Sequence, residues 1–299
     1  MLIKNNINNF NNKGNRIILF FLLLIFSCTN LSQTICTKYE NLNGLLIEIP
    51  KDTISAERYT LDNIIYMSNN KYLLTYKFIK NDSVSFFYKI PDNSHKWNFI
   101  IQDSINNKDV VSFLILEILP DNKKMISNRI PNYNQTVISY SYFAKIKPDY
   151  WIYLEHTGLV ENDKNIWLHP PRTALFKILE INPFPFIQDP YEITIGKEWT
   201  WSLQVGSGWL DERWYKWEGE PKVFDINYKY KITDKINIST QYYTDIECFV
   251  VDAIASSDLG DTMLKSFYNE KKGFVKLEYT NIDNSKIIFE IKKLNDTDN

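Results

Sequence analysis

The chain has 299 residues, with 34 basic residues, 36 acidic residues and a formal net charge of −2 at pH 7. This near balance gives no electrostatic reason to bind nucleic acid. Hydrophobic residues make up 44% of the chain and aromatic residues 15%, which is typical of a folded protein and excludes a disordered one.

The first residues predict a secretion signal. Residues 1–16 carry Lys4, Lys13 and Arg16 without an acidic residue, and an unbroken apolar run follows from Ile17 to Phe26. A membrane-spanning helix needs about 20 apolar residues, whereas a basic stretch before a shorter apolar run is typical of a signal peptide. We therefore predict that residues 1–27 form a signal peptide that is removed.

The residues after this run indicate how the signal ends. Ile25-Phe26-Ser27-Cys28 resembles the lipobox of bacterial lipoproteins, although Phe26 replaces the usual small or β-branched residue. The resemblance implies a lipid on the Cys28 thiol, and two or more acyl chains give a stable hold on a bilayer. Residues 28–37 would then be the lipidated cysteine and its tether. The alternative is an ordinary signal peptide recognised at Asn30-Leu31-Ser32.

The other two cysteines are Cys36 and Cys248. Outside the cytoplasm they can form a disulfide, which would close a very long loop and stabilise the fold by about 4 to 5 kcal/mol. The alternative is two unpaired thiols. No acidic run follows Cys28, so we expect an outer-membrane lipoprotein that faces the periplasm.

The rest of the chain predicts a mainly β protein, with antiparallel curved sheets that form a sandwich or an open barrel and few short helices. Short runs rich in Ile, Val, Tyr, Phe and Thr alternate with turn residues, at spacings too short for parallel crossovers. We predict turns at Asn81-Asp82 and Asp283-Asn284, a hairpin across Thr233-Asp234, and helices over 54–66 and 261–268. The predicted strands are 44–49, 71–79, 83–90, 96–101, 110–119, 136–146, 150–160, 165–169, 200–205, 223–232, 235–243, 246–256, 273–281 and 286–294.

A boundary between two β portions is predicted near residues 181–192. Pro183, Pro185 and Pro190 remove ladder donors there and keep the chain extended. We therefore predict an N-terminal portion over 38–182 and a C-terminal portion over 183–299. The alternative is one continuous domain.

Two stretches carry a resemblance to a known group of proteins. IWLHPPRTALFKILEINPFPFI (166–187) and DTMLKSFYNEKKGFVKLEYTNIDNSKIIFEI (261–291) resemble segments of uncharacterised envelope lipoproteins of Gram-negative bacteria. In those families a curved antiparallel β domain precedes a GFVKxxYTN-type hairpin. The resemblance implies β architecture and an envelope location, and it implies no reaction.

The densest functional candidate is EWTWSLQVGSGWLDERWYKWEGEP (198–221), which holds five of the eight tryptophans. Flat indole rings can stack on sugars or line a hydrophobic cleft. Polar contacts at its rim would come from Asp211, Glu212, Arg213, Glu218 and Glu220. The alternative is that the rings form the core of a β domain. The candidate ring residues are Trp199, Trp201, Trp209, Trp214 and Trp217.

Histidines supply two further hypotheses. A two-residue turn at Asn162-Asp163 would place His156 opposite His169, whereas a longer turn would separate them. Two imidazoles lack the third ligand of a usual catalytic zinc site, so we expect no metal. His169 and Arg172 flank Pro170-Pro171, in a rigid corner that either presents both side chains to an anion or pairs Arg172 with a carboxylate.

Catalytic signatures do not stand out, and no glycine-rich loop opens a helix, so we expect no cofactor. The sequence predicts a membrane-anchored lipoprotein with a non-enzymatic binding or scaffolding role. Its ligand would be hydrophobic or a carbohydrate, held in an aromatic-lined concavity, and an envelope protein is a further candidate partner. The alternatives are a periplasmic glycan hydrolase that uses acidic residues near 211–220 and a structural subunit of an envelope complex.

Overall fold

The structure, a computed structural model, describes residues 38–42, 44–49, 63–89, 97–105, 110–120, 135–145, 150–172, 176–206 and 223–294. Within these ranges the chain forms antiparallel β-strands, two short 3-10 turns (Gln102–Ser104 and Lys177–Ile181) and no α-helix. The strands are β1 (Lys38–Leu42), β2 (Leu45–Ile49), β3 (Lys71–Lys80), β4 (Ser83–Lys89), β5 (Trp97–Ile101), β6 (Val111–Ile118), β7 (Thr136–Lys145), β8 (Tyr150–Glu161), β9 (Asn165–Leu168), β10 (Phe186–Gln188), β11 (Glu198–Gly206), β12 (Val223–Ile238), β13 (Ile246–Ser257), β14 (Gly260–Asn269), β15 (Gly273–Thr280) and β16 (Lys286–Lys293).

Fourteen of the described strands form one antiparallel sheet that curls until it is nearly closed into a barrel. Its order is β10-β9-β8-β7-β6-β3-β16-β15-β14-β13-β12-β11, and β4 and β5 branch from β3. Strands of both predicted portions therefore share the sheet, because β3 pairs with β16. At the seam, the ring of Trp167 on β9 lies 5.7 Å from that of Trp201 on β11. The predicted fold class is confirmed.

The interior of the curled sheet is filled by the protein's own chain. Residues 176–187, here called the inner segment, run from β9 through the interior to β10. The buried ring of Phe176 lies 5.3 Å from Tyr76 on β3 and 5.8 Å from Tyr142 on β7. Farther along, Thr262 on β14 donates a 2.9 Å hydrogen bond to the carbonyl of Ile181. The inner segment thus contacts strands from several parts of the sheet and forms the centre of the core.

Residues 63–66, here called the closing segment, pack against the sheet at the end of β8 and the start of β15. The backbone N–H groups of Ile64, Ile65 and Tyr66 all donate 2.8 Å hydrogen bonds to the Glu161 carboxylate. The Tyr66 ring enters the core, where its hydroxyl accepts a 3.1 Å hydrogen bond from the N–H of Phe274. The bonds to Glu161 satisfy backbone donors that have no strand partner, and those of Ile65 and Tyr66 are buried.

Local corrections concern two predicted elements. The helix predicted over 261–268 is wrong, because this stretch is strand β14. Its alternation is obscured since the polar Ser266 is buried while the apolar Met263 is half exposed. The hairpin predicted across Thr233-Asp234 is also wrong: β12 continues through it, and a β-bulge between Ile232 and Asp234 shifts the register. A bulge reverses the inward alternation as a turn would, but without ending the strand.

The predicted turns at Asn81-Asp82 and Asp283-Asn284 are confirmed. Asn81 and Asp82 have φ angles of 50° and 59°, the pair of positive values that a tight hairpin between β3 and β4 requires. Asn284 has a φ angle of 62° between β15 and β16. The GFVKLEYT stretch forms β15 of that hairpin. Of the helix predicted over 54–66, residues 54–62 lie outside the described residues, and 63–66 belong to the closing segment.

Candidate functional site

Trp199 and Trp201 lie on the inward face of β11, two residues apart as strand spacing requires. The Trp199 ring stacks on Tyr230 at 5.3 Å and an interplanar angle of 1°, and the Trp201 ring stacks on Tyr228 at 4.7 Å and 16°. Both indoles are buried, with exposed fractions of 6% and 5%. These two rings therefore belong to the core in this structure and present no open face to a ligand.

A chain of rings connects these tryptophans to His169. Trp167 lies 5.7 Å from Trp201 and 5.9 Å from the His169 ring, and Phe184 of the inner segment lies 4.6 Å from His169 and 5.3 Å from Trp201. The structure thus places Trp201 and His169 in one region, although 32 positions separate them in the sequence. The same proline-containing corner that carries His169 also carries Arg172.

His169 and Arg172 meet two buried glutamates, and we call these four residues the polar cluster. His169 Nε2 lies 3.7 Å from Glu180 Oε2, and Arg172 Nε lies 3.9 Å from Glu180 Oε1. Glu155 Oε1 accepts a 3.0 Å hydrogen bond from the backbone N–H of Arg172. The exposed fractions of Glu155 and Glu180 are 6% and 4%. Of the two interpretations of the corner, the pairing of Arg172 with carboxylates is the one seen.

Burial controls the charges of the polar cluster. Loss of solvent raises the pKa of Glu180 to about 7, with the neighbouring Glu155 adding to the rise and Arg172 opposing it. Burial also lowers the pKa of His169 to about 3, and the Arg172 charge adds to this decrease. Between these two values both groups are mostly neutral, so the close contact of His169 and Glu180 is not an ion pair there.

A hydrogen bond fixes the tautomer of neutral His169, although the same bond opposes part of the burial-driven decrease in the pKa of the imidazole. Its Nδ1 lies 2.7 Å from the carbonyl oxygen of Pro170, a geometry in which Nδ1–H donates and Nε2 is left as an acceptor toward Glu180. The backbone oxygen of His169 accepts a 2.8 Å hydrogen bond from the Tyr140 hydroxyl. Among the described residues, none donates a hydrogen bond to Glu180 Oε1. Glu180 can therefore exchange a proton near neutral pH, although its Oε1 accepts no hydrogen bond from the described residues.

Sequence reasoning did not find Glu155 and Glu180. Glu180 interrupts an otherwise apolar stretch, ILEI (178–181), and Glu155 occupies a position of β8 that faces inward. An isolated acidic residue at a position where the pattern expects an apolar side chain was the available signal. Because acidic residues are rarely buried without a partner, both positions mark a specialised environment.

The two histidines that a two-residue turn would pair are separated. Glu161 pairs with Ile166, four residues lie between this pair where the prediction has two, and the register pairs Leu159 with Leu168. His169 instead donates its backbone N–H to the carbonyl of Gly158. In the part of the chain that the structure describes, no cluster of three metal-binding side chains occurs.

Several predicted residues lie outside the described residues. They include Cys28, Cys36, the tryptophans at 209, 214 and 217, and the acidic residues of 211–220. Cys248 is buried on the outer side of β13 against Val250, Phe267 and Val275, where burial raises the pKa of its thiol to about 12. Its pairing with Cys36 stays a prediction.

No protein-family model and no curated protein matches the chain. Among solved structures, the hypothetical lipoprotein YmcC from Escherichia coli (K12) aligns with 82% of this chain and 98% of its own, at 7% sequence identity and a TM-score of 0.28. A TM-score this low carries no argument. In the ranges given above, no helix is long and apolar enough to cross a membrane.

Proposed function

We propose that the protein is a lipid-anchored lipoprotein of the bacterial cell envelope with a non-enzymatic binding or scaffolding role. The anchor rests on the sequence: the basic start, the short apolar run and the lipobox-like residues before Cys28. An outer-membrane position facing the periplasm is part of the proposal, because no acidic run follows Cys28.

The single observation that carries the binding or scaffolding role is the filled interior. A β-barrel that stores or transforms a small molecule needs open space among its strands. Here Phe176, Ile181 and Phe184 of the inner segment fill that space and are each at most 3% exposed. We infer that the protein meets its partners through its outer surface and its ends.

A hydrophobic or carbohydrate ligand in an aromatic-lined concavity is the finer form of this proposal. The rings of Trp199 and Trp201 are packed in the core, so such a concavity would depend on Trp209, Trp214 and Trp217, which lie outside the described residues. An envelope protein is the other proposed partner. A lipid tether and a rigid β body suit either role, because the body is held at a bilayer while its surface stays available.

Lipidation and location are tested together. The full chain with a C-terminal tag is produced in a Gram-negative host in the presence of an alkyne analogue of palmitate, and the membranes are fractionated. We expect the label and an outer-membrane position for the natural chain and for Cys36→Ala, and neither for Cys28→Ala. Intact mass spectrometry should show that residues 1–27 are absent. A cytosolic, unlabelled chain that retains Met1 would overturn the proposal.

The non-enzymatic role is tested on the same membrane-purified protein. Native mass spectrometry reports bound small molecules and protein partners, and incubation with purified envelope glycans reports hydrolysis. We expect a bound ligand or partner and intact glycans. Release of sugar fragments by the natural protein, lost in Asp211→Asn or Glu212→Gln, would instead establish the hydrolase that uses acidic residues near 211–220.

A further inference from the structure

The sheet divides at one point, and the division creates a cavity on its outer face. The first half of β3 pairs with β6 through Thr75, whereas the last residues of β3 pair with β4 from Phe78 onward. Between them, the Tyr76 hydroxyl donates a 2.9 Å hydrogen bond to the carbonyl of Val111 and accepts one of 2.9 Å from the N–H of Phe87. The Tyr76 hydroxyl thus bridges β6 and β4 where β3 makes no backbone pairing with either strand, and it separates the point of division, here called the fork, from the core.

A cavity of about 320 Å³ lies at this fork, which is within the size range of small-molecule sites. Its walls come from strands β3, β4, β6, β15 and β16 and from the loop 239–245. The residues that carry its chemistry are Thr75, Lys77, Phe86, Ser112, Gln241 and Glu290. We call it the fork cavity.

The loop 239–245 forms one wall of the fork cavity because it folds back over the outer face of the sheet. Its Tyr243 packs against Val250, Phe267 and Val275. Beyond that contact, the backbone N–H of Gln241 donates a 3.0 Å hydrogen bond to Glu290 Oε2, and its side-chain amide contacts Thr75 Oγ1. The packing of Tyr243 and the contacts of Gln241 hold the loop in place, so it forms a fixed wall of the cavity.

Aromatic rings adjoin the polar groups of the fork cavity. Phe86 is half-buried and lines the cavity. Beside it on the outer face, Phe113 pairs with Thr75 across β6 and β3 and stacks on Phe143 at 4.9 Å and 16°. The bulge between Val111 and Phe113 leaves Ser112 without a partner in the β6–β7 register. Ser112 lines the cavity, and its hydroxyl donates a long hydrogen bond of 3.5 Å to the carbonyl of Phe143.

Three charged side chains line the fork cavity: Lys77, Lys276 and Glu290. Glu290 accepts the loop N–H, and the Lys276 amine lies 2.6 Å from Glu278. Lys77 is exposed, and within the described ranges no carboxylate lies within ion-pair distance of it. Hydroxyl, amide and carboxylate groups beside apolar rings suit a sugar, and the unneutralised ammonium suits an acid substituent.

We propose that the fork cavity binds an acidic carbohydrate, with Lys77 pairing with its carboxylate and Phe86 packing against a sugar ring. The inference rests on the proposed function only for the expectation of an external ligand. It moves the carbohydrate site from the buried tryptophans to the outer face of the sheet.

The test uses the full-length protein in detergent and two probes, the disaccharide of D-glucuronate and N-acetyl-D-glucosamine and the neutral N,N′-diacetylchitobiose. Calorimetry and saturation-transfer NMR measure binding. We expect the acidic disaccharide to bind about tenfold more tightly than the neutral one, and Lys77→Ala to remove that preference. Lys265→Ala, which removes an exposed lysine on the outer face of β14, is the matched control and should bind as the natural chain does.

Equal binding of the two disaccharides with no effect of Lys77→Ala would overturn the assignment. An absence of binding by the natural chain at about 10 mM of either probe would also overturn it, because a dissociation constant above that concentration is too weak for functional sugar recognition. Because Lys77 and Lys265 are exposed, we expect both variants to keep the melting temperature of the natural chain. A loss of binding then reports the missing ammonium group and not unfolding. Neither negative result would affect lipidation or membrane location, so failure of this inference is distinguishable from failure of the proposed function.

Discussion

The closing segment and the polar cluster each bury a glutamate, but they surround it differently. Glu161 is 7% exposed and accepts three backbone hydrogen bonds of 2.8 Å. Glu180 is 4% exposed, and its contacts with His169 and Arg172 are 3.7 and 3.9 Å long, beyond hydrogen-bond distance. Burial of a carboxyl group therefore defines no role by itself: Glu161 is a structural anchor, whereas Glu180 can change its charge near neutral pH.

The largest expected effect removes the anchor. Glu161→Ala leaves three backbone N–H groups of the closing segment without an acceptor, and those of Ile65 and Tyr66 are buried. We expect this loss to lower the free energy of unfolding by about 3 kcal/mol. Urea unfolding followed by tryptophan fluorescence measures the change. Asp163→Ala, an exposed carboxylate two residues away, should cost no more than about 0.5 kcal/mol. Equal midpoints for the two variants would remove the distinction between the two glutamates.

The packing of the closing segment gives a second test. A Cβ at Gly273 would lie 2.5 Å from Tyr66 Oη, at a φ angle of +78°. We expect Gly273→Ala to cost about 2 to 4 kcal/mol, because backbone strain adds to the clash. Gly196→Ala has a similar φ of +91° with no atom within 4 Å, so it should cost only about 1 kcal/mol. If thermal unfolding shows equal losses, the Tyr66 contact is not tight.

The polar cluster predicts a pH dependence of stability. The native pKa of Glu180 is raised from 4.5 to about 7, so the folded state holds a proton that the unfolded state lacks, and stability falls as pH rises through this window. The native pKa of His169 is lowered from 6.5 to about 3, so its contribution to stability rises with pH between those values. In the natural chain the two slopes oppose each other between about pH 4.5 and 6.5.

Glu180→Gln should expose the histidine slope. Relative to the natural chain, the variant is expected to gain up to about 3 kcal/mol between pH 4.5 and 8. Urea midpoints measured across this range report the difference, and Glu192→Gln, on an exposed loop, should follow the natural profile. A difference that does not change with pH would mean that Glu180 titrates as an ordinary carboxyl group.

The smallest expected change in stability comes from removing the hydroxyl group of a buried tyrosine, tested at two positions. The Tyr76 hydroxyl makes two hydrogen bonds at the sheet fork, whereas the Tyr279 hydroxyl has no hydrogen-bond partner among the described residues. Tyr76→Phe should therefore lower the free energy of unfolding by about 1 to 2 kcal/mol, and Tyr279→Phe should leave it unchanged or raise it. Calorimetric melting of both variants checks this. A larger loss in Tyr279→Phe would indicate that its hydroxyl is paired.

Much of the fold was predictable from local pattern. Alternation identified most of the described strands, and turn residues such as Asn81-Asp82 located hairpins. Pattern failed where one face was not simply apolar: Ser266 is buried and Met263 is half exposed, so β14 resembled a helix. At Thr233 a bulge and a turn leave the same trace in a sequence, since both shift the alternation by one residue.

The candidate site was less predictable. Trp199, Trp201, His169 and Arg172 were identified from the sequence, and the structure brings Trp201 and His169 together around Trp167 and Phe184. Their glutamate partners were not identified, because Glu155 reaches the polar cluster only through the register of β8 and Glu180 only through the path of the inner segment. The fork cavity was equally hidden, since its walls come from five strands and a loop.

Residue order alone was enough for the strand-rich class, for the tight turns and for the expectation of a lipid-anchored envelope protein, since each depends on neighbours along the chain. Long-range contacts set everything else: the sheet order, the inner segment that fills the barrel, and which carboxyl groups are satisfied. The physical reason is that the pKa of a titratable group, and the enclosure of a cavity, depend on segments distant in the sequence that exclude water only when they pack together.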